Sequence, residues 1–283
     1  MKKLNVIQKY NGKKLSKFIL DTFPHLSPNM LYKALRQKDI KIDGVRINKD
    51  CTIYTDNEIL VYIADDLLCP TPPLDIIFED DNILIINKPA NLEVTGDESL
   101  TSIVHSKYST CEFLPMPCHR LDRNTTGLVL FAKNEEALNI LLDKFKNHEI
   151  CKKYLALVYG IPKVKQARLE SYLFKDNKKS LVYISDDFKT GYQKIITSYF
   201  VLEEYDNNSA LLEVKIETGR THQIRAHLAH IGHPIIGDGK YGINSVNKDF
   251  GFKFQQLKAN VLKFNFTTES GILNYLNGQT FKI

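Results

Sequence analysis

No apolar run in this chain approaches the ~20 residues that a membrane-spanning helix needs. The opening stretch, MKKLNVIQKYNGKK, has lysines but no apolar block of signal-peptide length behind them. A spanning helix and a secretory leader are therefore not expected, and the cytoplasm is the expected compartment. Cysteine is scarce: Cys51, Cys69, Cys111, Cys118 and Cys151 are odd in number and scattered, with no CxxC pair. That spacing argues against a zinc knuckle or redox motif and for free thiols used mostly in packing. Glycine-rich phosphate and dinucleotide motifs are missing, as are low-complexity tracts and internal repeats, which removes nucleotide-cofactor, disordered and repeat architectures from consideration.

What remains is a 283-residue chain with 43 % apolar and 25 % charged residues, the composition of a globular protein. Its length suits one domain of ordinary size plus a small one. The net charge of +5 is unevenly placed. Residues 1 to 64 hold twelve basic and six acidic side chains, and the remainder holds 26 basic and 27 acidic. A positive excess confined to a small segment is the footprint of phosphate-backbone binding, although a lysine-coated solubilising surface has the same sign.

The basic segment reads as two helices followed by short strands. Leu15, Phe18, Ile19 and Thr22 fall at helical spacing, and Ser27-Pro28 supplies an N-cap followed by proline at the first helical position, for a helix running to about Arg36. IKIDGVRIN then alternates around Asp43-Gly44, a hairpin turn, and EILVYI is a further strand. These features resemble the S-four domain, a small RNA-binding module of a ribosomal protein and many RNA-modifying enzymes. The resemblance covers residues 12 to 64 and implies an RNA face made by Lys33, Arg36, Lys38 and Lys41. Residues 65 to 75, DDLLCPTPPLD, are the expected linker, since three prolines resist regular structure.

From residue 76 onward the pattern is that of an α+β domain with a mixed, largely antiparallel sheet and flanking helices, because strands do not alternate regularly with helices. ILII (83 to 86) and LVLFA (128 to 132) suit buried strands, the first ended by Pro89. Asn134 is placed to cap a helix through Ala137, Leu141 and Phe145, and YLALVYG and the alternation from Ala210 to Ile216 suit strands. Thr221 is the expected cap of a helix carrying Ile224, Leu228 and Ile231, with Gly232 as its terminator.

Two polar stretches carry the chemistry. Cys118-His119-Arg120-Leu121-Asp122-Arg123-Asn124-Thr125-Thr126-Gly127 sets one carboxylate between two guanidinium groups just ahead of a core strand. An oriented, ionised carboxylate there can serve as nucleophile or general base, whereas an ordinary loop ion pair gives the same local pattern. The second stretch, from Thr218 to Leu228 and on to Gly239-Lys240-Tyr241-Gly242, holds Arg220, Arg225 and the histidines 222, 227, 230 and 233. Their five-three-three spacing matches no standard zinc motif, so packing or solvated histidines are expected and no metal. The acidic pairs Asp65-Asp66, Asp80-Asp81 and Asp186-Asp187 would suit a metal-dependent nuclease, but they are scattered along the chain.

Together these stretches resemble the RluA family of RNA pseudouridine synthases. HRLDRNTTGLVLFAKN is similar to the central motif, whose aspartate falls on Asp122. GRTHQIRAHLAHIGHPIIGDGKYG is similar to the later motif, whose arginine falls on Arg225, and KKYLALVYG to the segment whose tyrosine falls on Tyr154. DIIFEDDNILIINKPANLEV is similar to the opening motif around Lys88-Pro89. The four occur in family order. Asn91 stands where a glycine is common, Thr126 where serine is common and Lys258 where a histidine is often found.

The resemblance implies an isomerase that converts uridine to pseudouridine in RNA, more readily ribosomal than transfer RNA, acting as a monomer without cofactor. Asp122 would be the reacting carboxylate and Arg225 its guide. Tyr154 would stack near the uracil and assist proton removal, although a strand tyrosine also serves simply as core. Arg120 would fill the space left by a flipped nucleotide, with Lys88 as a further RNA contact. A non-catalytic RNA-binding or ribosome-assembly protein on the same fold is the alternative.

Overall fold

The computed structural model describes residues 1–24, 26–64, 68 and 74–283. These divide into two compact units, Met1–Pro73 and Leu74–Ile283. Most of the expected linker, along with the pair Asp65-Asp66, lies outside the described residues.

In the first unit β1 (Lys2–Asn5) is followed by β2 (Lys13–Lys14), helices α1 (Leu15–Thr22) and α2 (Pro28–Arg36), and strands β3 (Ile40–Ile42), β4 (Val45–Ile47), β5 (Thr52–Ile53) and β6 (Glu58–Val61). The Ser27 hydroxyl accepts from the Met30 amide at 3.3 Å, so α2 starts where its cap and proline place it. Asp43 and Gly44 both take positive φ, +47° and +80°, the twist that a two-residue hairpin requires. The sheet order is β1-β6-β3-β4. Strand β1 precedes residue 12, where the S-four resemblance starts; KKLN is too short to show an alternation of its own. Leu15, Ile19, Leu31, Leu35, Ile40, Ile53 and Ile59 form a separate apolar core.

The second unit runs β7 (Ile76–Glu79), β8 (Ile83–Lys88), α3 (Leu100–Lys107), β9 (Met116–Pro117), β10 (Thr126–Ala132), α4 (Glu135–Lys146), β11 (Ile150–Tyr159), β12 (Gln166–Asp176), β13 (Leu181–Ser185), β14 (Gln193–Tyr205), β15 (Ser209–Ile216), α5 (Gln223–His230), α6 (Asn244–Phe250), β16 (Leu257–Phe264) and β17 (Thr280–Lys282). Its sheet has the order β13-β12-β14-β15-β11-β16-β10-β8-β7, with β17 beside β16 and β9 beside β10. The pairing of β10 with β16 is parallel, and the other named pairings are antiparallel. Both faces are covered, which is why ILII and LVLFA are continuously apolar. Leu84, Ile86, Val129 and Phe131 share one core with Leu100 and Val104 of α3 and with Ile224 and Leu228 of α5. Ile83, Ile85, Leu128 and Leu130 face the other way, toward Ala137 and Leu141 of α4. Helix α4 starts at the expected cap, with Asn134 Oδ1 accepting from the Ala137 amide at 2.8 Å. Among the described residues no helix is long and apolar enough to cross a membrane.

One expectation is corrected. Thr221 is not the cap of α5: the cap position belongs to His222, at φ +52° and without a side-chain capping bond. Lys144, on the polar side of the α4 pattern, is fully buried, where its ammonium meets Glu149 at 2.9 Å and the Thr268 carbonyl at 2.8 Å.

Candidate active site

The loop ahead of β10 is held along its length. The Cys118 amide donates to the Leu130 carbonyl at 2.8 Å, and His119 Nε2 accepts from the Leu130 amide at 3.2 Å. The Thr125 amide returns to the Asp122 carbonyl at 3.0 Å, closing a turn around the carboxylate, and the buried Thr125 hydroxyl accepts from Gln255 Nε2 at 2.7 Å. Behind the turn, Lys88 Nζ donates to the carbonyls of Pro89, Leu92 and Arg123 at 2.8, 2.8 and 3.0 Å. Asp122 is thereby fixed in the backbone and 26 % exposed at its side chain.

That arrangement corrects the expectation for Lys88. Its side chain is fully buried at the end of β8 and its three ammonium donors meet three carbonyls, so it braces the Asp122 loop instead of facing RNA. Burial pushes its pKa down to about 8, with the Asp122 charge acting in the opposite direction.

Arg225 projects from the first turn of α5, and its Nη1 donates to Asp122 Oδ2 at 2.9 Å. The two residues are 103 positions apart in sequence, and the motif alignment alone had paired them. Arg225 is held in turn by Asp238: Nε and Nη2 donate to its two oxygens at 2.7 and 2.9 Å. The amides of Lys240 and Tyr241 donate to Asp238 Oδ1 at 2.8 and 3.1 Å. Although burial opposes charge at both groups, Asp238 and then Asp122 hold the guanidinium above its ordinary pKa, and Arg225 and the two amides hold the Asp238 carboxyl below its own. Sequence reasoning missed Asp238, because an aspartate between two glycines reads as a turn residue.

Tyr154 stands in β11, buried, between Val214 of β15 and Ala259 of β16. Burial, and secondarily the Asp122 charge, raises its phenol above the usual tyrosine range, so it stays protonated at neutral pH. Asp122, Tyr154 and Arg225 line one cleft together with Arg120, Lys152 and His222. Arg120 is exposed at its rim.

Of the four histidines in this stretch, 222, 227 and 230 have hydrogen-bonding partners of their own, whereas His233 Nδ1 is buried without one. His222 Nδ1 lies 2.9 Å from the Tyr241 hydroxyl, and the Tyr241 ring covers the Arg225 guanidinium at 5.3 Å. His227 is fully buried between the hydroxyls of Thr197 and Ser171, at 3.0 and 3.2 Å. His230 Nε2 meets Asp186 at 3.0 Å. Asp80 Oδ1 accepts from the amides of Asn82 and Ile83 at 2.8 Å, an ordinary turn bond. Among the described residues, no group of three or more His, Cys, Asp or Glu side chains is placed to hold a metal ion.

One of the three departures from the family pattern has a local explanation. Asn91 takes φ +62°, the left-handed region for which glycine is the common choice and asparagine a tolerated one. Thr126 and Lys258 are register partners across the parallel β10–β16 contact. In the first unit Lys33, Arg36 and Lys38 are exposed, while Lys41 is half-buried. Lys41 and Arg46 both lie over the Tyr62 ring, at 5.3 and 5.4 Å.

Comparison with known proteins gives the family. The sequence profile described as RNA pseudouridylate synthase matches residues 82–230. Ribosomal large subunit pseudouridine synthase C of Rickettsia typhi is 32 % identical over 82 % of this chain and 83 % of its own length. An uncharacterized RNA pseudouridine synthase of Bacillus subtilis is 29 % identical over 91 % of this chain and 88 % of its own. Among solved structures, Human RNA Pseudouridylate Synthase Domain Containing 1 aligns at a TM-score of 0.60 and 26 % identity, covering 70 % of this chain and 81 % of that one. The chain belongs to the RNA pseudouridylate synthase family, of the RluA-like kind that its four ordered motifs implied, and is an isomerase acting on RNA.

Proposed function

We propose that this protein isomerises uridine in large-subunit ribosomal RNA, with Asp122 as the reacting carboxylate, Arg225 as the group that aims it and Tyr154 as the aromatic wall beside the base. The observation that carries the reading is the 2.9 Å bond from Arg225 Nη1 to Asp122 Oδ2 in a cleft that Tyr154 also lines. Arg225 holds Oδ2, and the carboxylate remains partly exposed in the cleft.

The reaction breaks the bond from uracil N1 to the ribose, rotates the base and joins carbon 5 to the sugar. Atoms and electrons are conserved, so it needs no redox partner and no group donor. A carboxylate can open it as nucleophile or base; the proton at carbon 5 must leave to water or a nearby acceptor, and uracil N1, freed from the sugar, takes one up. Tyr154 keeps its own proton and offers a ring face to the uracil. Arg120 occupies the stack vacated by the flipped nucleotide.

Ribosomal RNA is the substrate favoured by the names of the Rickettsia typhi relative and of ribosomal large subunit pseudouridine synthase D of Xylella fastidiosa, 29 % identical over 89 % of this chain. The basic first unit supports the same reading as an S-four-like anchor on the phosphate backbone, carrying Lys33, Arg36, Lys38 and Lys41. The enzyme acts as a cytoplasmic monomer without cofactor.

Asp122→Asn tests the assignment, since it keeps size and removes charge. Tritium release from RNA labelled at uridine carbon 5 should fall by on the order of 10³-fold or more, while filter binding of the same RNA holds. Wild-type release from the variant would remove Asp122 from the chemistry.

A further inference from the structure

Arg225 serves two carboxylates unequally. Asp238 takes two of its hydrogen bonds, through Nε and Nη2, and Asp122 takes one, through Nη1. Asp238 is fully buried and receives two backbone amides besides, while its own carbonyl accepts from the Gly242 amide at 3.0 Å and Asn247 Nδ2 at 2.9 Å. It is therefore fixed from both ends.

We propose that Asp238 is a positioning residue that keeps Asp122 reactive: by neutralising Arg225 through the two-bonded pair, it lets that arginine aim Asp122 without quenching its negative charge. The inference rests on the reading of Asp122 as the reacting carboxylate. One cation between two carboxylates leaves a net negative charge, and the partly exposed member at the cleft, Asp122, is where that charge is usable. Without Asp238, the whole charge of Arg225 would bear on Asp122, and a carboxylate neutralised in this way is a poorer base and nucleophile. The other groups that sense the Asp122 charge are Lys88, Tyr154, His222 and Tyr241. Arg120, Lys152 and Arg220 line the same cleft, and Glu93 lines the adjoining recess with Lys240. Among the described residues only Asp238 places a second carboxylate on Arg225.

The test uses the full chain, with kcat and KM for tritium release from RNA measured across the pH range. In Asp238→Asn, kcat at neutral pH should fall on the order of 10²-fold with KM little changed, and the acidic limb of kcat should move to lower pH. A merely structural role would lower the active fraction and leave that limb in place. Asp238→Glu, which keeps the carboxylate, should hold the acidic limb at its wild-type position even where kcat falls, whereas a limb displaced as in Asp238→Asn would mean that the charge at 238 is not what sets it. Should Asp238→Asn not fold, Asp238→Ser, smaller and uncharged, takes its place: an acidic limb moved to lower pH supports the proposal and one at the wild-type position overturns it. Wild-type kcat in Asp238→Asn, with Asp122→Asn inactive, overturns this inference alone; full activity in Asp122→Asn overturns the reading beneath it.

Discussion

A Cβ placed on Gly127 would stand 2.2 Å from the carbonyl oxygen of Ala259. Strands β10 and β16 meet there backbone to backbone, in the parallel contact of the sheet, and Gly127 takes φ +110°, which side chains rarely adopt. Gly127→Ala must therefore push apart the strand that follows the Asp122 loop and the strand that flanks Tyr154. Urea unfolding should show a loss of about 2–4 kcal/mol from strain and overpacking together. Turnover should fall at temperatures where the variant is still folded. Stability and turnover at wild-type values would mean that the strands can separate without moving the site.

Lys88 is the brace on the other side of that loop. In Lys88→Met the carbonyls of Pro89, Leu92 and Arg123 lose their shared donor, and a buried carbonyl left without a partner costs about 1–3 kcal/mol. Both the melting temperature and kcat should drop, because the Arg123 carbonyl is one residue from Asp122. Loss of RNA affinity alone, with melting temperature and kcat intact, would return Lys88 to the RNA face.

The contrast between Lys88 and the strand that carries it shows what the sequence makes legible. ILII announces a strand buried on both faces, and Ser27-Pro28 and Asn134 mark two helix starts, because apolar period and capping chemistry are local signals. Lys88 and Lys144 look like surface lysines. Their partners are set by folding: the carbonyl of Arg123 lies 35 residues from Lys88, and Thr268 lies 124 residues from Lys144. The site divides in the same way. Asp122, Tyr154 and Arg225 were recognisable through motif resemblance, whereas Asp238 was not, since its role exists only once α5 has brought Arg225 beside it.

His227 makes stability depend on pH. Burial pushes its pKa down to about 4, with the neighbouring His230 charge adding and Asp186 opposing. An unfolded histidine titrates near 6.5, so between these values the unfolded chain holds more protons and acid favours it. Stability should fall as pH drops from about 6.5 to about 4, by on the order of 3 kcal/mol from this residue, and then level off. His119, lowered to about 3 by burial and the Lys152 charge, acts in the same direction. His227→Gln, which does not titrate, should flatten the slope seen by urea unfolding at a series of pH values. An unchanged slope would mean that His227 is protonated in the folded protein.

The RNA face assigned to the first unit predicts a salt effect. Lys33, Arg36 and Lys38 are exposed around the end of α2, and Lys41 follows in β3 with its ammonium over Tyr62. If each neutralises one phosphate, binding releases a counterion per contact, and the slope of log affinity against log salt should become shallower by about 0.7–0.9 for each one removed. Replacing all four by alanine should flatten the slope by roughly 3 and weaken RNAs of unrelated sequence to a similar degree, because phosphate contacts carry no sequence information. The apolar core of this unit lies elsewhere, in residues such as Leu31, Leu35 and Ile40, so the melting transition should hold and the loss cannot be ascribed to unfolding. Filter binding across a salt series measures both slope and affinity. A slope equal to that of the wild type would place the phosphate-binding surface outside these four residues.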